Sequence, residues 1–117
     1  MDEISGTLCV NQRGEILLLR SFDGSWELPC GRTRFDETLR QGAVRETLEK
    51  IGLVPRLTAE IVSGQQGQST VWIFVASLPN ERIELSDEHC FHIWVSPTKA
   101  QSLLTPSLAR IVGDYGT

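Results

Sequence analysis

Apolar and polar residues along the chain predict short strands near the N-terminus. Residues 4–10 and 16–20 are rich in β-branched and aliphatic side chains, a composition that favours strands. The segment between them, 11–14, reads Asn-Gln-Arg-Gly and is typical of a tight turn. These residues together predict a hairpin.

Three more strands are predicted further along the chain. Residues 57–63 and 71–78 are β-prone, and residues 91–95 alternate in polarity, as in a strand with two different faces. The connection 64–70 is polar and contains glycine. It is either a mobile segment that covers a ligand or a plain hairpin connection, and we favour the second.

The segment between these groups of strands predicts a helix of about four turns. We expect Asp36 to cap it, Glu37 to lie in its first turn and Gly52 to end it in the left-handed conformation. The predicted core-facing stripe consists of apolar residues at helical spacing, Leu39, Ala43, Val44, Leu48 and Ile51.

A second helix is predicted after Ser96 and Pro97, with a break at Pro106. Strands on both sides of one central helix, followed by a helical C-terminus, indicate a mixed α/β sandwich. With 117 residues, residues 1–117 are expected to form one domain.

Composition excludes several classes of protein. No apolar run approaches the roughly 20 residues of a membrane span. The net charge of −4 argues against a broad basic surface for nucleic acid. The three cysteines, Cys9, Cys30 and Cys90, lack metal-binding spacing, so we expect free thiols and a reducing, cytoplasmic location.

A polar face is predicted opposite the apolar stripe of the central helix. Gly42, Glu46, Glu49 and Lys50 fall there on neighbouring turns. A solvated surface would also be polar, but the preceding segment 26–31, Trp-Glu-Leu-Pro-Cys-Gly, is hard to explain by solubility alone. The converging carboxylates favour a site that holds a divalent metal against a phosphate.

Residues 31–53 resemble the Nudix box. The matching positions are Gly31, Glu37, Arg45, Glu46, Glu49, Gly52 and Leu53. Residues 26–29, Trp-Glu-Leu-Pro, resemble the usual lead-in to the box. Three positions differ: Cys30 replaces a glycine, Thr47 an aliphatic residue, and Lys50 the second of two adjacent glutamates. The resemblance implies a Nudix-type mixed-sheet α/β/α sandwich.

The resemblance also implies a function. Nudix enzymes use Mg²⁺ or Mn²⁺ to hydrolyse a nucleoside diphosphate linked to another moiety, so the implied partner is a nucleotide-type small molecule. The implied metal ligands are Glu46, Glu49 and the Gly31 carbonyl, and Glu37 supports them. The implied catalytic residues are Glu46, Glu49 and Arg45, and Arg45 orients the two glutamates. A homodimer is a further expectation, and the sequence does not identify the substrate.

Lys50 leaves three outcomes open, because a cation in place of a carboxylate repels a metal ion. A carboxylate from a later loop, Glu84, Asp87 or Glu88, could complete the metal shell and preserve a hydrolase. Alternatively, Lys50 contacts phosphate in a slow enzyme or an inactive nucleotide-binding module. The third outcome is an interaction protein with a relic box.

Other side chains are weaker candidates. Arg32 and Arg34 flank the start of the box, where guanidinium groups could bind phosphate. We expect His89 and His92 to be packed or solvated and not to be ligands. Cys30 has no paired base that would make it a nucleophile.

Overall fold

The computed structural model describes residues 2–116. The strands are β1 (Glu3–Cys9), β2 (Ile16–Ser21), β3 (Trp26–Glu27), β4 (Cys30–Arg32), β5 (Arg56–Gln66), β6 (Ser69–Ser77) and β7 (His89–Val95). The helices are α1 (Leu39–Ile51), α2 (Pro97–Leu103) and α3 (Pro106–Tyr115). Within residues 2–116, no helix is long and apolar enough to cross a membrane.

The strands form two sheets, of order β4-β1-β6-β5 and β3-β2-β7. Successive side chains of a strand point to opposite faces, so β2 contributes Ile16 and Leu18 to one apolar core and Leu17 and Leu19 to another. The first core extends into α2 and α3, whereas the second includes Ile51 of α1. Helices therefore cover both faces, and the predicted α/β/α sandwich is confirmed.

The predicted strands are present, but the hairpin between the first two is wrong. β1 pairs with β4 and with β6, whereas β2 pairs with β3 and β7. Both edges of each strand are thus occupied by other strands. The two meet only at an isolated bridge between Val10 and Ile16, beside a turn in which the Gly14 N–H donates to the Asn11 carbonyl at 3.0 Å.

The predicted connection 64–70 is a plain hairpin. β5 continues to Gln66 and β6 begins at Ser69, which leaves Gly67 and Gln68 as the turn. Gly67 has a φ of 62°, a conformation that suits glycine in tight hairpin turns. Strand pairing therefore fixes most of the segment, as the favoured interpretation of a plain hairpin connection predicts.

The ends of α1 match the prediction at one terminus only. Gly52 ends the helix with a φ of 74°, as expected. Asp36 is not the cap: Thr38 accepts from the backbone N–H of Gln41, and the Gln41 side chain accepts from the backbone N–H of Thr38. This reciprocal capping box satisfies two terminal donors, so the helix begins after Glu37 and not around it.

The face that α1 buries also differs from the predicted stripe. Ala43 and Ile51 are buried as expected, but Leu48 is 44% exposed. The buried face instead includes Gly42, where an added Cβ would collide with the Ser5 hydroxyl of β1. Because glycine allows this close approach, the polar face of α1 packs against the sheet.

The C-terminal helical segment is divided, as Pro106 predicts. Ser96 caps α2 by accepting from the Lys99 N–H at 3.1 Å. α2 ends at Leu103, and Pro106 is the first residue of α3. Proline lacks the N–H needed inside a helix but suits its first turn, so the break at this position follows from its chemistry.

Candidate active site

Arg45 of α1 lies at the centre of three carboxylates. Its Nε donates to Glu37 Oε2 at 3.0 Å, and its Nη2 donates to Glu37 Oε1 at 2.7 Å. Its Nη1 donates to Glu46 Oε2 at 3.0 Å and to Glu49 Oε2 at 3.2 Å. Nη2 also donates to the Arg32 carbonyl at 3.0 Å. Because the guanidinium donors form a rigid fork, this one side chain fixes the relative positions of all three carboxylates.

Glu37 is held in its ionised form by these contacts. The hydrogen bonds from Arg45 lower the pKa of Glu37 to about 2, and a further bond from the Arg34 N–H, at 2.8 Å, acts in the same direction. The hydrogen bonds to Glu37 and Glu46 in turn raise the pKa of Arg45. Glu37 therefore stays charged at neutral pH and anchors the arginine.

Glu46 is buried against the backbone of β4. It is 8% exposed, and a Cβ added at Gly31 would collide with its carboxylate. Only glycine at this position leaves the space that the carboxylate fills. The structure therefore brings Glu46 and Gly31, both predicted metal ligands, into direct contact.

Lys50 lies one turn after Glu46 on the same buried face. Its Nζ is 3.5 Å from Glu46 Oε1 and 3.2 Å from Glu88 Oε1. Burial disfavours the charged ammonium, but the hydrogen bond to Glu88 and the charge of Glu46 outweigh it and raise the pKa of Lys50. A fixed cation therefore stands beside the candidate metal ligand.

Of the three later carboxylates, the structure brings Glu88 to the box. Glu84 instead lies at the end of α1, where its N–H donates to the Ile51 carbonyl at 2.9 Å. Asp87 is exposed and, within residues 2–116, forms no ion pair. Since Glu88 contacts Lys50, it neutralises the cation at this position.

The two arginines at the start of the box are exposed. The Arg34 side chain is 62% exposed, with its Nη2 3.8 Å from Glu49 Oε1. The Arg32 side chain is 79% exposed, with its Nη2 3.3 Å from Asp2 Oδ2. Exposed ion pairs of this kind are weak, so both guanidinium groups can exchange these partners for an anionic ligand.

Thr47, the polar residue at an aliphatic position of the box, is compensated by Thr7 of β1. Both residues are fully buried. The Thr47 hydroxyl donates to the Ala43 carbonyl at 2.8 Å, and the two threonine hydroxyls are 2.7 Å apart. Since Thr47 uses its single proton on Ala43, Thr7 donates to Thr47.

Thr47→Val is expected to lower the free energy of unfolding by about 1–3 kcal/mol, because the buried Thr7 hydroxyl would lose the Thr47 oxygen and keep only the weak acceptor Cys9 Sγ, 3.3 Å away. Urea unfolding measures this change. The double variant Thr7→Val/Thr47→Val should be more stable than the sum of the two single changes predicts, because it leaves no orphan donor. Additive losses would contradict the coupling.

A cleft of about 200 Å³ opens beside Gly31. The cleft is lined by Ile4, Glu27, Cys30, Gly31, Arg32, Gln66 and Leu108. Burial, and then the negative charge of Glu27, raise the pKa of the Cys30 thiol to about 12. The thiol therefore stays protonated, in agreement with the expectation that Cys30 is not a nucleophile.

Sequence reasoning missed the contact between Glu27 and His89. Glu27 Oε1 is 2.7 Å from His89 Nε2, and the His89 side chain is 3% exposed. His89 is packed, which is one of the two environments expected for it. Glu27 belongs to the lead-in that resembles the family, but no sequence signal links it to a residue 62 positions away.

The donors available to a metal ion are few. Within residues 2–116, no group of three or more His, Cys, Asp or Glu side chains is arranged to hold one. Glu46, Glu49 and the Gly31 carbonyl remain as a smaller set of oxygen donors. Mg²⁺ commonly binds through one or two carboxylates together with waters and substrate phosphates, and this set fits an ion of that kind.

Comparisons with known proteins agree with this geometry. A family model described as the NUDIX domain matches residues 4–114. A Bacillus subtilis (strain 168) protein provisionally named 8-oxo-dGTP diphosphatase is 29% identical over 112 residues, covering 92% of this chain and 75% of that protein. An RNA pyrophosphohydrolase from Wolbachia pipientis subsp. Culex pipiens (strain wPip) is 34% identical over 82 residues, covering 68% of this chain but 46% of that protein.

Solved structures extend the likeness to nearly the whole chain. The crystal structure of a MutT protein from Methanosarcina mazei Go1 has a TM-score of 0.78 and 28% identity. The alignment covers 98% of this chain and 92% of that one. The family match and this shared fold show that the chain belongs to the Nudix family.

Proposed function

We propose that this protein hydrolyses the diphosphate bond of a nucleoside diphosphate linked to another moiety, in a reaction that depends on Mg²⁺ or Mn²⁺. The observation that carries the proposal is the Glu46 carboxylate packed on Gly31 and held by Arg45 at 3.0 Å. A buried carboxylate packed against Gly31 of β4, with Glu49 three residues later on α1, suits an ion that binds diphosphate oxygens.

Glu46, Glu49 and the Gly31 carbonyl would hold the metal ion. When bound, the ion neutralises diphosphate charge and lowers the pKa of a bound water. The charges near this set favour weak binding, because Arg45 and Lys50 lie 3.0 and 3.5 Å from the two oxygens of Glu46. We therefore expect the ion to enter together with the substrate.

The remaining residues position the reactants. Glu37 anchors Arg45, which binds both Glu46 and Glu49 and holds the two carboxylates beside one guanidinium. Arg34 and Arg32 are exposed guanidinium groups at the start of the box, and we expect them to bind a substrate phosphate through two-pronged hydrogen bonds.

A second candidate function is nucleotide binding without hydrolysis. It is favoured by Lys50, whose ammonium lies 3.5 Å from Glu46 and 3.2 Å from Glu88. A cation there supplies part of the charge that a metal ion supplies, and it could contact the diphosphate directly. Binding of nucleotide without added metal would then be expected.

The test is a hydrolysis screen with Mg²⁺ and with Mn²⁺, resolved by chromatography of the products. Its first substrates are 8-oxo-dGTP and RNA with a 5′ triphosphate, which follow from the names of the two relatives, and then other nucleoside triphosphates and sugar nucleotides. We expect hydrolysis of at least one class, abolished by EDTA. Calorimetric binding of nucleotide without hydrolysis would support the second candidate. The absence of both hydrolysis and binding would indicate a relic box.

A further inference from the structure

A buried histidine holds a carboxylate at the edge of the cleft. His89 Nε2 and Glu27 Oε1 are 2.7 Å apart, and the Glu27 side chain is 42% exposed. His89 Nδ1 is buried and, within residues 2–116, has no hydrogen-bond partner. His89 Nε2 carries a proton in this arrangement, because the Glu27 carboxylate oxygen 2.7 Å away can only accept.

The pair is tied to the box by the chain segment before β7. The Ser86 N–H donates to the Lys50 carbonyl at 3.1 Å, Glu88 binds the Lys50 ammonium, and His89 follows directly. Glu27 lines the same cleft as Gly31, whose backbone touches Glu46. Glu27 therefore faces the space next to the candidate diphosphate site.

Glu27 differs from the box carboxylates in having a free oxygen. Both oxygens of Glu46 lie against cations, and Glu49 accepts from Arg45. Glu27 accepts only from His89 through Oε1, and within residues 2–116 its Oε2 has no donor. The free Oε2 of Glu27 is therefore open to accept a hydrogen bond from a water in the cleft.

We propose that Glu27 is the general base of the reaction and that His89 is its positioning residue; this inference rests on the proposed hydrolase function. A water oxygen forms a bond to phosphorus while the bridging P–O bond breaks, and the bridging electron pair leaves with the departing phosphate. The proton of the water passes to Glu27 Oε2 and is later released to solvent. The His89 N–H fixes Oε1, which leaves Oε2 to accept.

The first test is Glu27→Gln, which keeps the shape but cannot accept the proton. We expect kcat to fall about 10²- to 10⁴-fold with little change in KM. Glu27→Ala should regain part of its kcat in formate, a small carboxylate that can enter the vacated space. Glu60→Gln, at an exposed position of β5, is the matched control and should keep the natural rate.

The second test separates positioning from structural support. His89→Gln retains an N–H that can reach Glu27 and should keep most of the natural kcat, whereas His89→Leu should lower kcat with KM unchanged. Thermal melts of both variants identify any loss of fold, and formate should not restore His89→Leu, because Glu27 is still present. Equal loss of kcat in the two variants would overturn the positioning role.

Failure of this inference is distinct from failure of the proposed function. If the natural protein hydrolyses a substrate and Glu27→Gln matches it, Glu27 is not the base. A raised KM at unchanged kcat would make Glu27 a substrate contact and would also overturn the inference. If the natural protein hydrolyses nothing in the screen, both proposals are wrong.

Discussion

Glu46→Gln is expected to lower hydrolysis by about 10³-fold or more while the fold is retained. The change removes a negative charge where the metal ion and the diphosphate would meet, and electrostatic stabilisation of this kind is a large term in catalysis. The amide oxygen can still accept from Arg45, now 3.0 Å from the carboxylate, so Glu37 and Glu49 keep their common partner. The assay is kcat under the conditions that the screen selects.

The fold of this variant is checked by circular dichroism and urea unfolding. We expect a loss of about 1–2 kcal/mol in the free energy of unfolding, because one charge-assisted bond becomes neutral. Asp36→Asn removes an exposed carboxylate from the same segment and should leave the rate unchanged. If Glu46→Gln has the same kcat as the natural protein, the buried carboxylate only supports the structure.

Features set by local chemistry could be predicted from the sequence. Gly52 ends α1 in the left-handed conformation because glycine alone adopts it without strain. Pro106 divides the C-terminal helices because it cannot continue one. The apolar runs became strands because β-branched residues suit a pleated, buried surface.

Features that depend on residues far apart in the sequence could not be predicted from it. The first two strands look like a hairpin locally, yet β1 and β2 find their partners in β6 and β7. Helical periodicity placed Leu48 in the core, but Gly42 lets the other face of α1 approach β1. In each case, packing against a distant segment overrides the local pattern.

The candidate site shows the same division. Glu49 was predictable as a neighbour of both Arg45 and Glu46, because residues three and four apart on a helix project side by side. The contacts from later segments were predictable only in part. Glu88 was one of three candidate carboxylates, but its contact with Lys50 and the contact of His89 with Glu27 depend on the path of the chain before β7.

Lys50→Glu is expected to raise the affinity for Mn²⁺ by roughly 10- to 1,000-fold. Against a divalent ion at about 4 Å, each unit of charge contributes about 2 kcal/mol in a water-like dielectric, and the substitution changes two units. Each 1.4 kcal/mol or so corresponds to tenfold in affinity, and salt screening reduces the gain. Calorimetric titration of the metal measures it directly.

The stability of the variant provides an independent measurement. Without metal, the new carboxylate would face Glu46 and Glu88, which now lie 3.5 and 3.2 Å from the Lys50 ammonium, so we expect a lower Tm than that of the natural protein. Added Mn²⁺ should raise the Tm of the variant more than that of the natural protein, because an ion that binds only the folded state stabilises it.

Lys50→Met is the control that separates loss of the cation from gain of a ligand. Its side chain has a similar length and no charge, so it changes the local charge by one unit. Its gain in Mn²⁺ affinity should be about half that of Lys50→Glu in free energy. Equal affinities in the two variants would show that the new carboxylate does not bind the ion.

The nucleotide affinity and the hydrolysis rate of Lys50→Glu separate the two candidate functions. If Lys50→Glu binds metal more tightly and hydrolyses faster, the natural protein is a hydrolase whose metal site is weakened by one substitution. If metal binding rises while nucleotide affinity falls and no hydrolysis appears, Lys50 is a phosphate contact in a binding protein. Since its ammonium is 3.5 Å from Glu46, any ion held by Glu46 must respond to its charge, and an unchanged metal affinity would place the ion elsewhere.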